Sequence, residues 1–166
     1  SNFKVGWLCF LFDDIYCRIR SEEAEKLRRL IRRLKVAKFY ESLSKGCWEF
    51  GVQERVIIKN DELLEIKLSR RDKEVLIRFH KTLKVLLDDY VKFINTLREN
   101  NLHRGVCITT GEFDRDIIDR YYVLTGYGYR VILEDGMSFG RKQIGWKGKA
   151  RDILVYKKFK LARYIP

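Results

Sequence analysis

An α/β fold with a central mixed sheet flanked by helices is what this sequence predicts, and three observations carry it. The second half of the chain reads strand, helix, strand, which is the order of parallel pairing through a crossover helix. A basic amphipathic stretch near the start reads as a helix. The middle holds two apolar runs divided by turn residues, the pattern of an antiparallel hairpin. At 166 residues, with 46% apolar and 13% aromatic content, the chain suits a single domain, 1–166, with its own hydrophobic core.

The elements follow in order. FKVGWLCFLFDDIYCRIR divides into two β-rich runs around Asp13-Asp14, which predicts an N-terminal β-hairpin over residues 1–20. SEEAEKLRRLIRRLK offers Ser21 as N-cap and Glu22 and Glu23 in the first turn, where the helix dipole favours acids. Leu27, Leu30, Ile31 and Leu34 take one face of that helix, and Arg28, Arg29, Arg32 and Arg33 the other. From Lys38 to Ser69, the segments KFYESLS, CWEFGVQERVIIK and ELLEIKLS read as strands, the last two as a hairpin. Lys45-Gly46 and Asn60-Asp61 supply their turns.

Ser69, with Asp72 three residues on, reads as the cap of a long helix. Its stripe is Leu76, Phe79, Leu83, Leu86, Tyr90, Phe93 and Leu97, at alternating steps of three and four. The stripe fits a core face laid on a sheet. It also fits a coiled-coil seam, which leaves a homodimer open. VCITT then reads as a strand, EFDRDIIDRYYVL as a helix and YRVILED as a strand. Residues 137–166 read as a loop rich in glycine and lysine followed by a strand, DILVYKKFKLARYI.

Charge bounds the partners. The chain carries 35 basic and 23 acidic residues, a net +12, which points to a polyanion and first of all to nucleic acid. No apolar run is long enough to span a bilayer; Val5–Phe12 is too short and meets Asp13 and Asp14. With no secretory signal in view, the expected setting is intracellular, cytoplasmic or nucleoid-associated. Cys9, Cys17, Cys47 and Cys107 are scattered, and only His80 and His103 accompany them. Buried thiols are therefore expected, not a zinc site.

Within this order sits LLEIKLS, Leu63 to Ser69. Glu65 and Lys67 stand two residues apart and so share one strand face, while Leu64, Ile66 and Leu68 take the other. Glu65 begins the only acidic-x-Lys triplet in the chain. Further on come RGVCITTGEFDRDI (Arg104 to Ile117) and YRVILEDG (Tyr129 to Gly136). Taken together, these segments and their order resemble the restriction-endonuclease-like, or PD-(D/E)xK, nuclease core, and within it the Mrr-like branch. The resemblance covers 21–136 and leaves the first 20 residues and the tail from 137 outside.

That resemblance implies a restriction-endonuclease-like fold and a metal-dependent endonuclease hydrolysing the phosphodiester bonds of DNA. Its cofactor would be Mg²⁺ or Mn²⁺, held by carboxylates and polarising the phosphate. Glu65 would ligate the metal and Lys67 would hold the attacking water. The family pattern adds an acidic residue about a dozen positions earlier, where Gln53 and Glu54 lie on alternate faces of the preceding strand. Glu54 suits a metal; Gln53 suits it poorly. With Gln53 in the pocket, the alternative is a catalytically inactive nuclease-fold module that binds nucleic acid or mediates assembly.

Supporting roles are expected as follows. Glu25 on the first helix reads as a supporting carboxylate or a solvated one. Arg28 and Arg32 on the basic helix, with Arg141, Lys142, Trp146, Lys147 and Lys149 of GRKQIGWKGKAR, would contact phosphates and stack on a base. Thr109 and Thr110 read as phosphate contacts or as a helix cap. Neither His80 nor His103 has a partner at a catalytic spacing.

Overall fold

The computed structural model describes the backbone of residues 2–155 and 161–166 and the side chains of residues 11–153 and 161–166. Three helices lead, α1 (Asn2–Ile19), α2 (Ser21–Arg32) and α3 (Val36–Phe50). An antiparallel meander follows, β1 (Gln53–Lys59), β2 (Leu63–Arg70) and β3 (Lys73–His80). Next come β4 (Lys84–Val85), α4 (Leu87–Glu99), β5 (Arg104–Thr109), β6 (Glu112–Phe113), α5 (Arg115–Thr125) and β7 (Arg130–Glu134). Finally α6 (Gly136–Ile144) packs on α1 and α2, and the short α7 (Asp152–Val155) packs on α6.

The five-stranded sheet runs β1-β2-β3-β5-β7, antiparallel on the β1 side and parallel from β3 onward. The fold is therefore α/β with a mixed sheet flanked by helices. α4 and α5 are its crossover helices, and β4 and β6 form a small parallel pair beside it.

One face of the sheet packs under α2, α3 and α6 through Leu27, Ile31, Phe39, Leu43, Leu64, Ile66, Ile77, Phe79, Val106, Ile108 and Phe139. Phe39 stacks on Phe79 with ring centroids 4.2 Å apart. The other face packs under α4 and α5 through Leu76, Tyr90, Phe93, Leu97, Cys107, Ile117 and Val131. Here a Cβ on Gly105 would fall 2.8 Å from Phe93 Cζ, so the glycine is what lets α4 lie close to β5. Because β3 is covered on both faces, Val75 through Phe79 are all buried, including Arg78.

Four expectations from the sequence are corrected. First, residues 2–19 form α1 instead of a β-hairpin. Among the described residues of α1, Asp13 and Tyr16, three apart, are buried, and Asp13 pairs with Arg141 of α6 at 2.5 Å. Second, the two supposed strands before Gly51 are α3. Its buried Val36, Phe39, Leu43 and Cys47 recur at helical steps. Gly51 ends it at φ 65°, with the Val52 N–H donating to the Cys47 carbonyl at 2.8 Å.

Third, no long helix starts at Ser69. Arg71 and Asp72 form a two-residue turn, Arg71 at φ 57°, joining β2 to β3. The apolar stripe is split between a strand and a helix. Leu76 and Phe79 are in β3, Leu83 and Leu86 are exposed in the connection, and Tyr90, Phe93 and Leu97 form the buried face of α4. A continuous coiled-coil seam is therefore absent, and with it the sequence argument for a homodimer. Fourth, Gly136 opens a helix, not a loop, because Asp135 caps it by accepting from the Ser138 N–H at 2.8 Å. The expected C-terminal strand is not found among the described residues: it falls on α7, on residues 156–160, which lie outside them, and on a 3-10 turn, Ala162–Tyr164.

Other readings stand. The β1–β2 hairpin, α2, β5, α5 and β7 are where the pattern places them. Cys47 and Cys107 are buried free thiols, each pushed up to about 12 by burial, whereas the Cys9 side chain lies outside the described residues. Among the described residues, no helix is long and apolar enough to cross a membrane.

Candidate functional site around Glu65

Strand geometry decides which residues meet. Glu65 opposes Arg78 across the β2–β3 ladder, and Lys67 opposes Leu76. Directly opposed residues share a face, so Glu65, Arg78 and, one pair along, His80 all face the α4 layer. Leu64, Ile66 and Leu68 are fully buried on the α3 side, as their alternation requires. Glu65 is no wet-face residue. It is 1% exposed and Arg78 is 4% exposed, because α4 roofs this part of the sheet.

The register also places the expected second ligand. Glu54 opposes Leu68 and so lies on the α3 face, away from Glu65. There its carboxylate accepts from Tyr40 Oη at 2.8 Å and from Ser44 Oγ at 2.7 Å. Gln53 is on the Glu65 face, but it opposes Ser69, four residues along β2, or about 13 Å away. Neither residue meets Glu65, so the expected pair of metal carboxylates does not assemble. Among the described residues, no group of three or more His, Cys, Asp or Glu is placed to hold a metal ion. Lys67 is drawn sideways into an ion pair with Glu74, 3.2 Å away. Glu25 is exposed on α2, on the opposite side of the sheet.

What surrounds Glu65 is instead a guanidinium. Arg78 Nε lies 3.5 Å from Glu65 Oε1, and Arg78 Nη1 donates to the Asp89 carbonyl at 2.6 Å. Burial pushes the Glu65 carboxyl above the usual carboxylate range; the Arg78 charge and the nearby Thr96 hydroxyl pull it back down. That hydroxyl also lies 3.0 Å from the Lys92 carbonyl, so its one proton is divided between the two acceptors. Glu65 Oε2, Arg78 Nε and His80 Nδ1 are buried atoms that make no well-formed hydrogen bond among the described residues, Arg78 Nε being held by its ion pair with Glu65. Burial and the Arg78 charge lower the His80 pKa, so its imidazole is neutral at pH 7.

These groups line an open pocket of about 610 Å³ between α4 and the β1–β2 turn, with Asp89, Lys92, Asn95, Thr96 and Glu99 along its helical wall. Sequence reasoning missed Arg78 and passed over His80, because both were read as parts of a helix. The signal was there: a charged residue inside the apolar run VLIRF, alternating with Leu76 and His80.

The expected phosphate contacts divide into two groups. Arg28, Arg29, Arg32 and Arg33 are exposed along α2, and Lys147 and Lys149 are exposed in the turn after α6. α2 packs along α6, and Arg20 joins that turn to the α1–α2 corner by donating to the Trp146 and Gly148 carbonyls at 2.8 and 2.7 Å. Trp146 packs edge-on against Tyr16, which leaves it 39% exposed. Arg141 and Lys142 are held in ion pairs, Arg141 with Asp13 and Lys142 with the buried Glu134 at 2.7 Å. Thr109 and Thr110 are buried. Thr109 Oγ1 accepts from the Gly111 N–H, and it is Asp114 that caps α5. His103 lies against Tyr129, ring centroids 5.4 Å apart.

Compared with known proteins, the chain matches no family model and no curated protein.

Proposed function

We propose that this chain is a nucleic-acid-binding module built on a restriction-endonuclease-like core, holding DNA by its phosphates. The observation that carries this reading is the basic ridge of α2. Arg28, Arg29, Arg32 and Arg33 are exposed, and among the described residues none of them meets a carboxylate. Lys147 and Lys149 add to the same side of the molecule through the packing of α2 on α6. Exposed guanidinium groups that pair with no carboxylate, Arg28 touching only the Cys17 thiol, are suited to phosphate oxygens, and each one engaged releases counterions. The helix–three strands–helix–strand order supports the core assignment.

Cleavage by the expected residues fits the geometry less well. A single ion cannot be held by Glu54 and Glu65 from opposite faces of a sheet, and Arg78 already neutralises one oxygen of Glu65. Mg²⁺ is thus not accommodated by that pair. A metal-dependent DNA endonuclease remains the second reading, favoured by the unpartnered Glu65 Oε2 at the pocket.

One experiment separates the two. Binding of a fluorescent DNA duplex is measured in EDTA and in Mg²⁺, alongside plasmid cleavage. The binding-module reading expects equal affinity in both and intact plasmid. Mg²⁺-dependent nicking that is lost in Glu65→Gln would overturn it in favour of the second.

A further inference from the structure

At the end of the sheet where β5 and β7 begin, the surface is made by two turns, one after α4 and one after α5. Their residues, 98–104 (RENNLHR) and 125–130 (TGYGYR), include a single acid, Glu99, and that side chain lines the pocket beside α4. Arg104 and Arg130 are directly opposed across the β5–β7 ladder, so two guanidinium-bearing side chains share one face at adjacent positions. Like charges so placed repel each other until an anion is shared between them. Arg98 and Arg130 are exposed and Arg104 is half-buried. Among the described residues none of the three meets a carboxylate. Phosphate oxygens are the anions that the planar guanidinium group matches best.

Aromatic rings stand at the same end. The Tyr129 ring lies 5.4 Å from the His103 ring, centroid to centroid, and 5.6 Å from the Arg98 guanidinium carbon. The Arg130 N–H donates to the His103 carbonyl at 2.7 Å, which fastens one turn to the other. Tyr127 is different, because it is 102% exposed and adds nothing to either core. It sits between Gly126 at φ 84° and Gly128 at φ 87°, and those two left-handed residues set the path of the turn. Neither of them needs an aromatic neighbour. The turn therefore holds a phenol ring in water, its faces open to stacking, beside cations that have no partner.

We propose that this end of the sheet binds single-stranded DNA, with an unpaired base stacked on Tyr127 and the adjoining phosphates held by Arg104 and Arg130. Tyr129, braced by Arg98 and His103, anchors the turn that carries Tyr127. A duplex keeps its bases stacked on one another, so only an unpaired base can use the exposed ring. The surface is separate from the α2 ridge. Arg28 and Arg32 of the ridge share a crevice with Thr110 and Gly111, just past the last residue of β5. Arg104 is the first residue of that strand, so the two basic surfaces are about 20 Å apart along it.

The test is fluorescence anisotropy of the full chain in EDTA with three labelled probes of equal length: a single-stranded oligonucleotide, an abasic strand and the matching duplex. Tyr127→Ala should weaken binding of the intact single strand roughly fivefold to a hundredfold and leave the abasic strand and the duplex unaffected. Its circular dichroism should match the parent's, since the side chain is fully exposed. Arg104→Gln with Arg130→Gln should make the salt slope of single-strand binding shallower by about 1.4, the share of two phosphates. Both effects should persist when Arg28, Arg29, Arg32 and Arg33 are changed to alanine, a variant in which duplex binding is lost. Duplex binding that survives those four changes would tell against the ridge alone. Unchanged single-strand affinity in Tyr127→Ala, equal weakening of the abasic strand, an unchanged slope in the double arginine variant, or no saturable single-strand binding would overturn the proposal.

Discussion

Replacing Arg78 by methionine should be the most damaging single change to the α4 face. At 3.5 Å and an effective dielectric constant near 20, the attraction between Arg78 and Glu65 is about 5 kcal/mol before desolvation. Both side chains are nearly fully buried, so removing the cation strands a carboxylate in the core, a change that costs about 3–5 kcal/mol. The lost hydrogen bond to the Asp89 carbonyl adds about 1 kcal/mol. The deficit should depend on pH. Burial already raises the Glu65 pKa in the folded protein, so its stabilising contribution is present below the unfolded value and is lost as pH rises through the folded one.

Without Arg78, the folded pKa rises further. The gap between variant and parent should therefore be widest at pH 8 and shrink as pH falls toward 5. Urea denaturation across that range reads the effect directly. The double variant Glu65→Leu with Arg78→Met, which removes both charges, should recover most of the loss. A gap that is the same at every pH, or a double variant no better than Arg78→Met, would refute this account of the pair.

Three further outcomes follow. Glu54→Ala should lower stability by about 1–3 kcal/mol in chemical denaturation, because the hydroxyls of Tyr40 and Ser44 lose their shared acceptor. It should leave DNA affinity unchanged. Gly111→Ala should lower the melting temperature sharply or prevent folding, since its Cβ would sit 2.2 Å from the Leu83 carbonyl oxygen. Asp135 is raised to about 6 by burial, so its contribution is lost as pH rises through 6. Asp135→Asn keeps an N-cap acceptor and should gain about 3 kcal/mol over the parent at pH 8 and little at pH 4 in denaturant titrations.

The sequence was most legible where local pattern and tertiary setting agree. α2 has its first-turn acids and clean apolar face, and β5, α5 and β7 are punctuated by Gly105, Gly111 and Gly126. LLEIKLS was read with the correct strand and the correct faces, yet the burial of Glu65 was not legible, because it depends on α4 roofing the sheet. The long-helix error has a physical source. No Gly or Pro separates β3 from α4, and buried residues of a strand covered on both faces happened to continue the three-and-four spacing of the helix. α1 and α3 are rich in Phe, Trp, Tyr, Val and Cys, residues of strand-like propensity, and packing overrides that preference. The choice between Gln53 and Glu54 turned on a one-residue register that only the β1–β2 pairing resolves.

The salt dependence of DNA binding by the parent and by a variant with Arg28, Arg29, Arg32 and Arg33 all changed to alanine, both in EDTA, tests the central claim most directly. If those four side chains each neutralise one phosphate, the slope of log affinity against log salt should become shallower by about 3.6. Affinity at low salt should fall with it, while the circular dichroism of the variant stays that of the parent. An unchanged slope and affinity, or binding that appears only when Mg²⁺ is added, would contradict the assignment of DNA binding to the α2 ridge.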